Sequence, residues 1–316
     1  MLSEKLFEAG RLCVVGNINR DFKTAPLAAS ERLFHDGETP ADSISETIGG
    51  GGANSACAAA ALGAKVMFLG KIGDDDLGNR LERALHRHRV DTRLSRASSV
   101  CTGNSIALTY TNGQRHFISC QPNNESLALE DLDLNAMQGA KHVFRADIWF
   151  SNAMLHGGNA KLFRAARDMG MRTSIDLNWD PRWGIASIDE VSARKQAIVK
   201  VLSLVHMAHG NVRELNEFAN SRRLENSLER LEEWGVEAVV VHMGADGAGY
   251  YHRGKLIVEP AAKVERHLNA TGTGDLLSVC MMLLDEYPDA QEKLRLANKI
   301  VGEFIEGKRV LIPTLT

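Results

Sequence analysis

Two stretches of the chain hold residue types at spacings that could do chemistry. In Asn269-Ala-Thr-Gly-Thr-Gly-Asp275, directly before the apolar run Leu276–Leu284, residues Gly272, Thr273 and Gly274 would leave backbone N–H groups free at a helix N-terminus. Asp275 falls in the first helical turn, where the helix dipole favours its ionised form. An anion hole beside a carboxylate base suits phosphoryl transfer. The amides neutralise charge on the phosphoryl oxygens, and the carboxylate accepts the proton of an attacking hydroxyl. A plain helix cap after a glycine turn has the same pattern, and this segment alone leaves both readings open. The second stretch, Gly49-Gly-Gly-Gly52-Ala-Asn54, precedes an Ala-rich run. Its glycines let backbone approach a ligand and hinge, and Asn54 can both donate and accept hydrogen bonds. A tight turn is the alternative. The dinucleotide fingerprint does not fit, because Ser55 stands at its last glycine position and Glu46-Thr-Ile48 makes a poor preceding strand.

Other eye-catching residues have plainer readings. Gly249-Tyr-Tyr-His-Arg-Gly254-Lys255 nearly spells a P-loop, but Leu256 fills the Ser/Thr position and Lys255-Leu-Ile-Val258 reads as a strand after a hairpin turn. His86-Arg-His-Arg89 reads as the solvated end of a helix. His206 and His209 have no Cys or carboxylate partner at zinc spacing and read as core or strand-end residues. Trp149, Trp179, Trp183 and Trp234 read as core or cleft-edge aromatics, with Trp179 or Trp183 available to stack on a ring. Asn124-Glu-Ser126 and Asn269-Ala-Thr271 are glycosylation sequons only on paper. Cys13, Cys57, Cys101, Cys120 and Cys280 are odd in number and scattered, against a disulfide framework or a four-cysteine zinc site. Four of them lie in apolar stretches and read as small core residues.

Across 316 residues, 37 Lys and Arg against 40 Asp and Glu leave a formal charge of −3, with 44% apolar residues. That balance is ordinary for a globular protein and argues against a generally basic grip on nucleic acid or anionic membrane. No apolar run is long enough to span a bilayer, and the opening residues lack the order of a signal peptide, so a cytoplasmic location is expected. Strand candidates at Leu12–Val15, Val66–Leu69, Ile148–Ser151, Thr173–Asp176, Leu204–Ala208 and Val239–His242 alternate with helical patterns. Those helices are expected at Ala53–Leu62, Leu77–His88, Asn159–Met169, Val191–Leu202 and Leu228–Trp234, and later at Leu276–Leu284 and Glu292–Phe304. The alternation predicts an α/β fold whose mostly parallel sheet is covered on both faces. Phe22–Thr47 and Thr102–Ser119 instead alternate with period two around an Asn112-Gly113 turn. They predict a small β-sheet lid, as insertions at about 22–47 and 102–119 in one domain spanning 1–316.

Taken together, these segments resemble the ribokinase-like (phosphofructokinase-B type) carbohydrate kinases. Gly49–Asn54 with Gly63-Ala-Lys-Val66 and Gly70-Lys-Ile-Gly-Asp-Asp-Asp-Leu-Gly78 is similar to their N-terminal signature, and Asn269–Asp275 to their C-terminal one. Between them, Asn211-Val-Arg-Glu214 matches the family's Asn-x-x-Glu, and Gly244-Ala-Asp-Gly247 its nucleotide-side turn. The resemblance covers nearly the whole chain and implies a three-layer α/β/α fold with a β-sheet lid. It implies an ATP-dependent kinase acting on a hydroxyl of a small sugar or sugar acid, with Asp275 as base and Gly272, Thr273 and Gly274 as the anion hole. Asn211 and Glu214 would serve Mg²⁺ and the nucleotide phosphates, Glu214 through water. Gly244 and Gly247 would lie against the nucleotide, with Asn298 near the adenine end. Asn19 and Asp21 match the sugar-hydroxyl pair, joined by Gly50, Gly51 and Asn54.

Departures from the family pattern are also visible. Asn269 replaces an Asp that helps organise a monovalent-cation loop, and Gly307-Lys-Arg309 is unlike that loop's usual end, which counts against potassium activation. His242 stands where a Thr commonly contacts ATP, and Gly51 replaces the Lys of ribokinases themselves. Asp176-Leu-Asn178-Trp-Asp-Pro-Arg182 is similar to the Asp-x-Asn-x-Arg of fructokinases and ketodeoxygluconate kinases, with Arg182 two positions late. A catalytically silent sugar- or nucleotide-binding protein of the same fold, or a nucleoside kinase, are the alternatives. Exposed lid edges favour a homodimer.

Overall fold

The computed structural model of the protein describes residues 11–112, 114–266, 271–309 and 315. Asn269 and Gly113 therefore lie outside the described residues.

A nine-stranded sheet forms the middle layer, and every pairing in its first seven strands is parallel. In chain order its strands are β1 (Arg11–Val15), β4 (Lys65–Gly73), β5 (Val90–Ala97), β8 (Ala140–Arg145), β9 (Arg172–Asp176), β10 (Met207–Asn211) and β11 (Ala238–His242). The antiparallel β12 (Ala248–His252) and β13 (Lys255–Glu259) close one edge, turning at Arg253-Gly254. The P-loop-like segment is thus the hairpin its sequence predicts. Leu12 and Val14 face one core, and Cys13 and Val15 the other. A strand buried on both faces reads as a continuous apolar run, which is why β1 was visible in the sequence.

One face is covered by α1 (Gly51–Ala61), α2 (Asp76–Arg87), α8 (Thr273–Leu283) and α9 (Ala290–Ile305). Small side chains let α1 pack closely, and Gly63, at φ 91°, ends it. The α8 helix is apolar nearly all round and lies between α1, α9 and the sheet. The other face carries α4 (Asn159–Asp168), α5 (Ile188–Leu202), α6 (Val212–Phe218) and α7 (Leu224–Glu233). All seven expected helices are present.

Two strand expectations need correction. The strand placed at Ile148–Ser151 is instead β8, at Ala140–Arg145. Ile148 and Trp149 are buried in the turn that follows it, and burial without ladder bonding makes an apolar run look like a strand. Within β8, the polar His142 is buried against Ser174 Oγ at 2.6 Å, which hid the true strand. The strand placed at Leu204–Ala208 is shifted to Met207–Asn211, because His209, Gly210 and Asn211 do not look like strand residues. The core reading of four cysteines is corrected too. Cys13, Cys57 and Cys280 are buried, whereas Cys101 and Cys120 are exposed.

A second sheet, in the order β3-β2-β6-β7, consists of β2 (Asn19–Thr24), β3 (Ile44–Gly49), β6 (Gly103–Thr109) and β7 (Arg115–Cys120). Its side chains alternate between two faces. Asn19, Asp21 and Lys23 share one face with Thr47, Ser105, Phe117 and Arg115, and Phe22, Ile44, Ile106 and Ile118 share the other. A buried amide network on the short α3 (Pro122–Glu125) ties this sheet to the turn after β1. Asn124 Oδ1 accepts from Ile18 N at 3.1 Å, and Asn123 Nδ2 donates to Ile18 O at 3.0 Å.

Candidate active site

The C-terminal ends of β8, β9, β10 and β11 converge on one cavity of about 490 Å³, capped by α8 and the second sheet. The crevice outside the carboxyl ends of parallel strands is where open α/β sheets hold ligands. Of the residues singled out from sequence, Gly51, Asn211, Glu214, Gly244, Gly247, Gly272, Thr273, Gly274, Asp275 and Asn298 all line it. Asn19, Asp21, Gly50 and Asn54 do not line it and lie in the lid sheet and the hinge beside it.

Gly272 takes a left-handed φ of 87° and turns the chain into α8, so the first amides of that helix open onto the cavity. Asp275 stands in the first turn. Burial pushes its carboxyl up to about 7 and the charge of Asp147 adds to this, while a hydrogen bond from Asn54 and the charge of Lys23 oppose them. A carboxylate titrating there is tuned for proton transfer near neutrality.

Asp147 was missed by the sequence reading. It follows β8 with a left-handed φ of 55° and points its carboxylate at the N-terminus of α1. Oδ2 accepts from Asn17 N at 3.0 Å and Gly52 N at 2.8 Å, and Oδ1 from Gly51 N at 3.2 Å. These three donors and the fully buried Arg145 favour its charged form, against a burial that raises its pKa. The glycine run is therefore pinned by a carboxylate as well as hinged. A Cβ on Gly51 would stand 2.9 Å from that carboxylate. Its position just beyond a parallel strand was the available signal, lost with the misplaced strand.

Asn211 and Glu214 form a capping box on α6. Asn211 Oδ1 accepts from Glu214 N at 2.9 Å, and Glu214 Oε2 accepts from Asn211 N at 2.8 Å. Glu214 Oε1 also accepts from Trp179 N at 3.2 Å. Burial raises the pKa of Glu214, and that of Asp176 is raised well up by burial and by the charges of Glu214, Asp275 and Asp147. Among the described residues no three such groups sit close enough to hold a metal directly. Hard carboxylate oxygens around an open cavity suit instead a cation that keeps its waters, as Mg²⁺ does.

On the far side, Gly244 and Gly247 have φ of 62° and 105°. Asn298 Nδ2 donates to the carbonyls of Glu259 and Pro260, both at 2.9 Å, fixing the wall of the cavity. His242 lines the cavity with Nε2 3.1 Å from Ser278 Oγ, and burial lowers it to about 4, so it is neutral at physiological pH. Trp179 and Trp183 pack edge-to-face at 4.9 Å, and Arg213 covers Trp179 at 3.9 Å. His86 bonds Thr92 at an exposed helix end, and His209 is buried in the core, as their sequence contexts imply. Asn124 is buried and hydrogen-bonded.

A family model described as pfkB family carbohydrate kinase matches residues 9–300. Fructokinase-2 of Oryza sativa subsp. japonica is 27% identical over 281 residues, covering 84% of this chain and 81% of its own. Among solved structures, an E. coli protein assigned as a ribokinase II, in complex with ATP and Mg²⁺, superposes with a TM-score of 0.76 at 20% identity, covering 94% of this chain and 93% of its own. Arabidopsis thaliana ribokinase complexed with ribose and ATP superposes with a TM-score of 0.72 at 19% identity over 97% and 96% of the two chains. The fold is ribokinase-like, and the chain belongs to the pfkB family of carbohydrate kinases, phosphotransferases with an alcohol group as acceptor.

Proposed function

We propose that the protein transfers the γ-phosphate of ATP to a hydroxyl of a small sugar or sugar acid, with Asp275 as general base. One observation carries this reading. A carboxylate raised to about 7 stands in the first turn of a helix whose N-terminus opens onto the same cavity. Asp275 takes the proton of the acceptor hydroxyl, whose oxygen forms a bond to the γ-phosphorus. The bond from that phosphorus to the bridging oxygen breaks, and ADP leaves with the electron pair. The amides at Gly272–Gly274 stabilise the charge on the phosphoryl oxygens in transit.

On the acceptor side, Asn19 donates to Asp21 Oδ1 at 2.7 Å and leaves its own Oδ1 unpartnered, as Asn54 does. Buried acceptors without donors fit a ligand rich in hydroxyls. On the nucleotide side, the glycine turn at Gly244–Gly247 and the wall fixed by Asn298 receive the nucleotide. Asn211 and Glu214 would hold the water shell of Mg²⁺, which would supply charge neutralisation for the phosphates.

No helix among the described residues is long and apolar enough to cross a membrane, and we place the enzyme in the cytoplasm, where ATP is available. The second sheet offers a homodimer contact through its outer face, where Ile44 is 66% and Ile118 55% exposed. Sedimentation of an Ile118→Lys variant, expected as a monomer, tests that contact.

The test of function is ADP release across a panel of sugars, sugar acids and nucleosides, with and without potassium. Turnover on one acceptor is expected to fall about 10²–10⁴-fold in Asp275→Asn, with ATP affinity near normal. A fully active variant refutes the role of Asp275.

A further inference from the structure

Glu214 is fixed by two amides that come from different parts of the chain. Asn211 N belongs to the capping box of α6 and follows from local sequence. Trp179 N, which donates to Oε1 at 3.2 Å, belongs to the loop after β9. A carboxylate has about four lone-pair sites, so one bond on each oxygen stops the group from turning and leaves the other sites free. The second of these bonds exists only while that loop and α6 keep their spacing.

Helix α5 sets that spacing through two adjacent cations. Neighbouring helix residues point about 100° apart, so Arg194 and Lys195 reach different elements. Arg194 is buried and grips Asp180, the wholly buried residue after Trp179. Its Nε donates to Oδ2 at 2.7 Å and its Nη2 to Oδ1 at 3.0 Å. Nη2 also donates to the carbonyl of Trp149 at 2.5 Å, and Trp149 Nε1 donates to the carbonyl of Asn178 at 2.5 Å. The residues on either side of Trp179 are thereby held to α5 and to the turn after β8. Lys195, also buried, turns instead to the C-terminal end of α6. Its Nζ donates to the carbonyl of Glu217, to the Glu217 carboxylate at 3.0 Å and to Asn220 Oδ1 at 2.8 Å.

Packing alone does not require these charges. A buried ion pair is often exchanged for apolar side chains of similar volume at little cost, because desolvation cancels most of the attraction. Apolar contact leaves a loop free to slide, whereas a two-pronged guanidinium–carboxylate bond fixes distance and angle together. At 3.2 Å the Trp179 bond lies at the long end of the useful range, and a further shift of a few tenths of an ångström loses it.

We propose that Arg194 and Lys195 are positioning residues for Glu214, and that they hold its carboxylate in the orientation that serves the water shell of Mg²⁺. The inference deepens the kinase reading and rests on it. Neither cation is among the residues that line the cavity, so each acts there only through the segment it holds.

The test is calorimetry of ADP binding to the full chain, with Mg²⁺ and with EDTA in its place. Arg194→Gln combined with Asp180→Asn exchanges the ion pair for a neutral amide pair and leaves no buried charge unpaired. Lys195→Met strands only Glu217, whose side chain is 43% exposed and can turn to water. Glu214→Gln marks the effect of losing the carboxylate itself. ADP affinity without Mg²⁺ is expected to be unchanged in all three. The gain in affinity on adding Mg²⁺ is expected to shrink about 3–10-fold in the two α5 variants, the worth of one hydrogen bond, and further in Glu214→Gln. Arg194→Lys keeps the charge without the two-pronged bond and is expected to fall between wild type and the amide pair. In turnover, the half-saturating Mg²⁺ concentration of the α5 variants is expected to rise, with kcat at saturating Mg²⁺ held. An α5 variant that loses stability in urea but keeps the full Mg²⁺ gain overturns the proposal. So does a parallel fall in ADP affinity with and without Mg²⁺, or a gain that Glu214→Gln leaves intact. A gain lost in Glu214→Gln and kept in both α5 variants sinks this inference alone, whereas absence of ADP binding by the wild type sinks the kinase reading itself.

Discussion

The two halves of the proposed site, the cavity and the lid face beside it, are made of different material. The half proposed for the nucleotide is backbone: the left-handed turns at Gly244, Gly247 and Gly272, the opening amides of α8, and a wall fixed by Asn298. The half proposed for the acceptor is side chains on a thin sheet, with Asn19, Asp21, Lys23, Thr47 and Arg115 on one face. Phosphates are the same in every nucleotide, so recognition by amides needs only glycine and a helix end. An acceptor must be told from its relatives, which takes side chains with particular charges and hydroxyl partners. The first kind of site is embedded in the fold's own geometry. The second can change residue by residue while the fold stands.

Substitution in the nucleotide half therefore breaks the protein first. A Cβ on Gly247 would stand 2.1 Å from the carbonyl oxygen of Glu259, at a φ of 105°. Neither the clash with backbone nor the strain can be relieved by a rotamer change. Gly247→Ala is expected to cost about 3 kcal/mol or more in urea unfolding, with ATP affinity falling alongside. Unchanged stability would mean that this turn is not the rigid element described.

Where the two halves meet, the expected effect is on pH dependence. Burial, with the charge of Asp147 adding to it, raises the pKa of Asp275 to about 7, so the ionised form is present above that value and is lost as pH falls through it. Asp147→Asn removes the charge and lowers the pKa of Asp275. The acid limb of kcat/KM is then expected to move to lower pH, by up to about one unit, so that relative activity at pH 6 rises. The same change leaves an amide of the Asn17, Gly51 and Gly52 set without an acceptor, at a cost of about 1–3 kcal/mol in stability. A limb that stays in place, with stability lost, would make Asp147 a structural pin and nothing more.

The same division explains what could be read without coordinates. Glycine runs before helices are local in sequence, so Gly49–Asn54 and Gly272–Asp275 were visible, as were the helices and most of the parallel strands. Asp147 was not, because its meaning depends on where β8 ends, and buried Trp149 in the following turn imitates a strand. Lys23 and Arg115 are far apart in the chain and look like ordinary surface charges. Only the register of β2 on β6 and of β6 on β7 shows that they share a face. The capping of α6 by Asn211 and Glu214 is also local, but the backbone bond from Trp179 that holds Glu214 in place is not.

The smallest expected effect on the fold belongs to the acceptor half. Thr47 Oγ1 is buried without a partner, on the face it shares with Asp21. Thr47→Val keeps the shape and the β-branched strand preference while deleting a hydroxyl whose desolvation no hydrogen bond offsets. Stability in urea is expected to stay within about 0.5 kcal/mol of wild type or to rise by up to about 1 kcal/mol. Acceptor affinity is expected to fall by about 2–10-fold, the worth of one neutral hydrogen bond, with ATP affinity unmoved. A loss of stability would show that Thr47 Oγ1 has a partner within the free protein. Unchanged acceptor affinity with stability gained would move the hydroxyl-reading surface off β3 and onto Asn19, Asp21 and Asn54 alone.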